Sequence, residues 1–437
     1  MAACGQKYDE ETSIRKWIIL FGAFFNNVFI WGLAWGAGVF QVVFMEEFRT
    51  SGSVGIVSFI PTLISAWTCL IGPLSSILTN QFGCRSVTCA GAVIASCGLA
   101  LTSLATQLWH LSITFSLLGI GAGLAYIPGS VVIVCDYFER HRPLALSLAS
   151  CGLGVGTFIL PPLILCLINY YHWRGACLVL AAIVLNMAVF ASLYEPVQKH
   201  SPDTGLENEL KSDGKKIIRV KMLGQSSFVC LILNNILIMY GMVSFYVHLP
   251  SFVESLGYSD AAAAGFVSTI GIAILTGRVG CGLLAQRIQE VDVVYAGTIA
   301  VAGIVSIVLP YTRNFSVLVV LCVIFGLTIC TLGPCLPLIA TQLVGIEALP
   351  DAFGFLMVAE GIGSLVGPPI AGFIYDMTRS YSLSMGSSGL ALILSSVAMV
   401  VPIYNGHTRS VRKSETTTAA ALLSDTEKNK FDSVACE

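Results

Sequence analysis

Apolar residues are gathered in this chain into twelve long runs, at roughly 17–45, 52–78, 87–106, 109–134, 144–169, 175–195, 227–250, 261–285, 292–310, 315–341, 351–375 and 385–404. About 20 apolar residues carry a helix across the ~30 Å hydrocarbon core of a bilayer. Within lipid every backbone N–H and C=O must be bonded inside its own segment, so runs of this length predict spanning α-helices. Connections between the runs are short with one exception. Between Glu195 and Ser226 lies a polar, charged segment interrupted by Pro202, Gly205 and Gly214, residues that punctuate regular structure. The pattern therefore predicts an all-α membrane protein with twelve transmembrane helices in two six-helix halves. The expected divisions are an N-terminal segment 1–16, a first bundle 17–195, a loop 196–226, a second bundle 227–404 and a Ser/Thr-rich, charged, disordered tail 405–437.

Composition agrees with the pattern. Hydrophobic residues make up 55% of the 437 and charged residues 11%, against about 25% charged in soluble domains. Forty-two glycines suit close helix packing in lipid. A net charge of −2 with no basic stripe gives no footprint for nucleic acid. Most of the fifteen cysteines, Cys69, Cys97, Cys166, Cys177 and Cys322 among them, fall inside apolar runs and read as small hydrophobes rather than a disulfide scaffold. The first apolar run is too long for a cleavable signal peptide and ends without a small-residue cleavage site.

Lysine and arginine set the orientation. With both termini inside, the inner segments hold Lys7, Arg15, Lys16, Arg85, Arg140, Arg142, Arg287 and the basic residues of the central loop and tail, while the outer loops hold Arg49, Arg174, Arg313 and Arg379. Positive charge accumulates on the cytoplasmic side, so both termini are expected in the cytoplasm; the charge rule does not choose the membrane, and the plasma membrane is a separate expectation.

An internal echo supports the six-plus-six division. Cys151–Ile164 (CGLGVGTFILPPLI) and Glu360–Gly372 (EGIGSLVGPPIAG) each carry a Gly-x-Gly and a Pro-Pro, at offsets of 209 and 207 residues. Parallel six-helix repeats are the organisation of major facilitator transporters. Longer motifs narrow this. Asp136–Phe158 (DYFERHRPLALSLASCGLGVGTF) resembles the fifth-helix signature of the monocarboxylate transporter family; Gly361–Asp376, Gly72–Arg85 and His172–Pro196 resemble its eleventh helix, second helix with loop, and sixth helix. The resemblance covers nearly the whole chain apart from the central loop and the tails. It implies a major facilitator fold, secondary transport of a small carboxylate-bearing solute by alternating access, and no enzymatic activity. Some members of that family need a single-span immunoglobulin-domain glycoprotein to reach the surface, which the resemblance offers as a partner beside the bilayer and the small organic anion. Three departures qualify it. The acidic opening motif of the first helix is replaced by TSIRKW, of which only Trp17 matches. The position of the lysine in proton-linked members is Trp35, and that of the aspartate one turn before the helix-eight arginine is Ile274, while the arginine is kept as Arg278. The resemblance thus retains an anion-binding group without its proton-coupling companions, and favours facilitated diffusion or a non-proton mode.

Arg278 is the leading candidate for substrate binding. It lies about eight residues from the cytoplasmic end of its run, ~12 Å deep at 1.5 Å per residue, beyond easy snorkelling. A buried guanidinium needs an anion, carbonyls or water. The competing reading makes it packing glue against helix carbonyls. Trp31 and Trp35 share one helix face at i, i+4 and, being mid-run, read as aromatic cavity walls rather than an interfacial belt. Tyr240, Tyr246 and His248 are placed toward the outer side of the cavity, with Tyr246 a substrate-binding candidate and His248 read as solvated. Glu360 is a coupling candidate, either partner to Arg278 or a protonatable group, against a purely structural role. Asp136, Arg140 and Arg142 form a candidate cytoplasmic gate, against a topology signal with helix capping. Asn26, Asn27, Asn234 and Asn235 read as interhelical hydrogen-bonding groups. The sequon at Asn314 lies in too short a loop to be glycosylated. No Walker loop, dinucleotide fingerprint, zinc spacing or nucleophile–base constellation is present, so no cofactor and no metal is expected. The alternative to a carrier is a non-transporting sensor of an organic anion built on the same fold.

Overall fold

The computed structural model describes residues 2–48, 54–138, 142–194, 224–284, 291–344 and 349–404. Nearly all of the predicted loop 196–226, the tail 405–437, Arg140 and Arg287 lie outside the described residues. Among those residues the chain is helical, in the order α1 (Ala2–Glu47), α2 (Val54–Leu70), α3 (Gly72–Thr102), α4 (Leu108–Tyr126), a π-helical segment (Ile127–Val132), α5 (Ile133–Tyr137), α6 (Arg142–Ser192), α7 (Ser226–Ser255), α8 (Asp260–Leu284), α9 (Val291–Val308), α10 (Phe315–Ile329), α11 (Leu332–Val344), α12 (Leu349–Thr378) and α13 (Tyr381–Ala398). Nine helices of the described residues are long and apolar enough to cross a membrane, and Val54–Leu70, Phe315–Ile329 and Cys335–Val344 are shorter apolar helices.

Helix boundaries differ from the hydrophobic runs in instructive ways. α1 starts at Ala2, so helix continues through the polar N-terminal segment that precedes the apolar run. The second run is divided at Ile71, with Pro73 in the first turn of α3, where a missing N–H costs nothing. The predicted loop Asn80–Arg85 is helical except at Gly83, whose φ of 81° turns the chain in a region that only glycine enters freely. The fifth and sixth runs are joined in α6 across His172, at φ 54°. Asn314 caps α10, its side-chain oxygen accepting the Ser316 N–H at 3.0 Å.

Glycine pairs four apart set the closest packing, and they do so identically before and after the central loop. A Cβ on Gly152 or Gly156 of α6 would lie 2.2 or 2.3 Å from the Phe24 or Val28 carbonyl oxygen of α1; on Gly363 or Gly367 of α12 it would lie 2.2 or 2.6 Å from those of Ile236 or Tyr240 of α7. Such small-xxx-small seams let backbones meet where lipid offers no hydrophobic drive. The asparagines repeat as well. Asn26 bonds across to Ala125 O (3.0 Å) and Ser130 Oγ (2.9 Å), and Asn234 to Ser395 O and Oγ (both 2.9 Å). Asn27 and Asn235 instead turn back to Ala23 and Leu231, one turn earlier on their own helices. The interhelical role expected of all four thus holds for Asn26 and Asn234, while their neighbours cap local carbonyls.

Two further seams join helices from opposite sides of the loop. α2 packs along α12, and α6 along α8. In the first, a Cβ on Gly372 would lie 2.7 Å from Gly55 Cα, and one on Gly361 3.0 Å from Ala66 O; in the second, one on Gly271 would lie 2.5 Å from Phe158 N. These seams frame the centre of the bundle, where the candidate residues meet.

Candidate functional site

Arg278 stands on α8 and reaches across the second seam. Its Nη1 donates to the Ser150 carbonyl of α6 at 2.8 Å, and its Nε is buried without a partner. Gly333, at the start of α11, lies against the guanidinium, where a Cβ would be 3.3 Å from Cζ. Tyr126, Cys151, Cys330 and Tyr246 lie within its electrostatic reach. A guanidinium presents five N–H donors and cannot shed its charge. Here one donor is spent on a backbone oxygen, so the packing reading is met in part, while Nε remains unmatched.

The aromatic candidates form a continuous stack rather than separate walls. Tyr126 meets the Trp31 ring edge-on at 5.4 Å, Trp31 stacks on Trp35 at 5.6 Å, and Trp35 stacks on Tyr246 at 4.7 Å. Beyond Tyr246 the series continues to Phe325 and Phe245. It therefore runs from α4 through α1 and α7 to α10, crossing between helices that precede and follow the central loop. Trp31, Trp35 and Tyr246 are buried. The Tyr246 hydroxyl is buried with no hydrogen-bond partner, an arrangement that costs free energy unless something else supplies an acceptor.

Glu360, on α12, is half-buried and accepts from the Cys69 thiol of α2 at 3.8 Å. Tyr126 lies within reach of both the Glu360 and the Arg278 charge, and Tyr295 lies near Glu360. Tyr126 was not among the residues singled out by sequence. Its signal was the Pro128-Gly129 pair that follows it inside an apolar run. The segment Ile127–Val132 is π-helical, a form found mostly as single-turn bulges at functional positions. Asn26 holds this segment at Ala125 O and Ser130 Oγ, and the Tyr194 hydroxyl holds it at Gly129 O, 2.9 Å away. The bulge fixes where Tyr126 stands.

Asp136 is in α5 and Arg142 opens α6; Arg140 lies outside the described residues. His248 corrects the expectation of a solvated side chain. It is buried, its Nε2 lies 3.0 Å from Pro368 O of α12, and its Nδ1 lies 3.5 Å from Gln41 Nε2 of α1. The run ended near it, but α7 continues to Ser255 and carries His248 inside the packed region. Among the described residues, no three of histidine, cysteine, aspartate and glutamate gather as metal ligands would.

Comparison with known proteins fits this geometry. The Major Facilitator Superfamily model matches residues 17–345. The chain is 30% identical over 412 residues to monocarboxylate transporter 12 of Homo sapiens, covering 88% of this chain and 79% of that one. The chain belongs to the monocarboxylate transporter family. It is also 30% identical to monocarboxylate transporter 13 of Bos taurus, over 88% of each chain. To monocarboxylate transporter 4 of Gallus gallus it is 29% identical over 422 residues, covering 95% of this chain and 88% of that one. Identities near 30% mark a divergent member, in keeping with Trp35 and Ile274 at the two departed positions. Membership makes it a multi-pass membrane protein of a transporter family.

Proposed function

We propose that this family member carries a small carboxylate-bearing solute across the plasma membrane by alternating access, with both termini cytoplasmic and twelve crossings in two six-helix halves. The observation that carries the reading is Arg278. It lies deep in an apolar helix, bonds to a helix of the other half, and keeps a buried Nε unmatched. A carboxylate against Nε gives charge-assisted hydrogen bonds in the fork geometry that arginine favours. Tyr246 Oη is a second donor, and Trp31 and Trp35 bound the apolar or cationic remainder of the solute. Because Arg278 and the aromatic stack draw on both halves, a bound solute gains contacts from each and lowers the barrier to their rocking.

Glu360 is proposed as the coupling group, since its charge state alters the field at Tyr126, which Arg278 shares. Asp136, Arg140 and Arg142 are proposed as the cytoplasmic gate. The replacement of the proton-coupling pair by Trp35 and Ile274 favours transport that runs without a proton. The test is uptake of a panel of labelled carboxylates into proteoliposomes. Saturable uptake abolished by Arg278→Ala, at unchanged incorporation, supports the carrier; binding with no flux for any solute would replace it with the sensor.

A further inference from the structure

The extracellular end of the bundle carries a group of polar contacts that substrate binding does not use. The carboxylate of Asp376, near the end of α12, accepts from Val54 N and Gly55 N with one oxygen each, both at 3.0 Å. These are the first two N–H groups of α2, which have no partner within their own helix, and the positive end of the helix dipole favours an anion there. Two faces close beneath them. Gly372 of α12 rests on Gly55 of α2, and Gly38 of α1 rests on α7, where an added Cβ would lie 2.7 Å from Tyr246 O. Between these two approaches, Gln41 of α1 donates to Ser58 Oγ of α2 at 3.0 Å and lies 3.5 Å from His248, which is itself joined to Pro368 of α12. Asp376 thus ties α12 to α2, and Gln41 with His248 ties α1 to α7. Both ties cross from one half to the other.

We propose that Asp376, acting through the N-terminus of α2, and the Gln41–His248 pair form the latch that holds the extracellular gate shut, and so set the balance between the inward- and outward-facing states. The proposal rests on the alternating-access reading. Its chemistry is that of a seal that must open. A cavity of about 300 Å³, with Glu46, Val54, Glu254 and Arg379 among its lining, reaches Val54, one of the two residues whose N–H Asp376 accepts. Water there can take over both N–H groups and the carboxylate as the helices part, so the latch exchanges its bonds instead of losing them. An apolar seal of the same area would have no such substitute. Asp376 is a positioning residue in this scheme, remote from Arg278.

The test reads conformation apart from substrate. Ser364 lies on α12, buried with an unpartnered hydroxyl, about twelve residues and so ~18 Å below Asp376. A cysteine there, in place of Ser364, is labelled from outside with a membrane-impermeant thiol reagent, against the chain without that substitution as background. Asp376→Asn is expected to raise the labelling rate several-fold, and Asp376→Glu to restore it in part. As a second arm, Val54→Cys with Asp376→Cys is oxidised to a disulfide; uptake is expected to stop and to return on reduction. Unchanged labelling in Asp376→Asn at normal surface abundance, or full uptake through the cross-linked pair, overturns the latch. Absence of uptake for every carboxylate by the unsubstituted chain would instead overturn the transporter reading, and the labelling comparison would still decide whether Asp376 holds this end closed.

Discussion

Arg278→Lys separates charge from geometry at the centre of the bundle. Lysine keeps the positive charge but offers a compact ammonium in place of a planar fork. Arginine spans two tasks here: Nη1 holds Ser150 O at 2.8 Å, while Nε is buried and unmatched. An ammonium placed to satisfy Ser150 cannot also meet both oxygens of a carboxylate. The variant therefore loses at least one hydrogen bond to a charged group, worth about 1.5–3 kcal/mol. At 1.4 kcal/mol per decade this predicts a rise in apparent KM of roughly 10- to 150-fold, measured as concentration-dependent uptake in proteoliposomes with incorporation matched by immunoblot. Arg278→Ala removes every donor of the guanidinium and is expected to abolish uptake. The decisive comparison is between the two variants. If Arg278→Lys carries the same solute at unchanged KM while Arg278→Ala is inactive, charge alone suffices and the fork argument fails. If both retain wild-type uptake, Arg278 is packing glue and the site lies elsewhere.

Three further outcomes follow from the same contacts. Tyr246→Phe removes a hydroxyl that has no protein partner, so thermal stability in detergent is expected to hold while apparent affinity falls by about 1 kcal/mol, roughly fivefold; a loss of stability without a change in KM would refute a role in binding. Gly156→Ala places a methyl 2.3 Å from Val28 O and is expected to destabilise by about 1–3 kcal/mol, seen as a lower Tm in detergent, with Gly367→Ala behaving alike against Tyr240 O; an unchanged Tm in either would show that the seam is slack. An inward pH gradient is expected to leave uptake unaccelerated, because Trp35 and Ile274 stand where the coupling pair is placed in proton-linked relatives. Strong acceleration by external acid, lost in Glu360→Gln, would refute this and give the proton to Glu360.

Much of this was legible from the apolar runs because a bilayer leaves so few solutions for the backbone. Helix existence follows from that constraint, and the Gly-x-Gly echo points to the glycine-rich stretches of α6 and α12, although the pairs that pack are four apart, Gly152 with Gly156 and Gly363 with Gly367. What the runs cannot report is depth and neighbours. His248 looked solvated because the apolar run faded near it, yet packing against α1 and α12 buries it. Asp376 sits at a run's end, where an acidic residue looks like ordinary topology; only the approach of α2, set by Gly55 and Gly372, gives it two amides to hold. Tyr126 is one aromatic residue among many in its run until the π-segment beside it is known. The break at Ile71 within the second run was likewise hidden, since hydrophobicity continues across it, whereas the turns at Gly83 and His172 fall where the apolar runs pause. Sequence assigned all four asparagines one interhelical role, whereas an amide at i reaches either a neighbouring helix, as Asn26 and Asn234 do, or its own i−4 carbonyl, as Asn27 and Asn235 do, and the choice depends on which face the helix presents.

The substitution of Trp35 for a cation changes the physics at the centre of the bundle. Both departed positions are apolar here, and Trp35 and Ile274 are each buried in the core. In place of a charge, Trp35 brings a ring that stacks on Tyr246 from the opposite half at 4.7 Å, a pairing worth about 0.5–1.5 kcal/mol beyond its buried area. That contact forms only when α1 and α7 are together. Of the contacts between helices before and after the central loop, this stack does not depend on pH and the Arg278 guanidinium cannot lose its proton. The proposed carrier is therefore expected to respond to the shape and charge of its solute more than to a proton gradient.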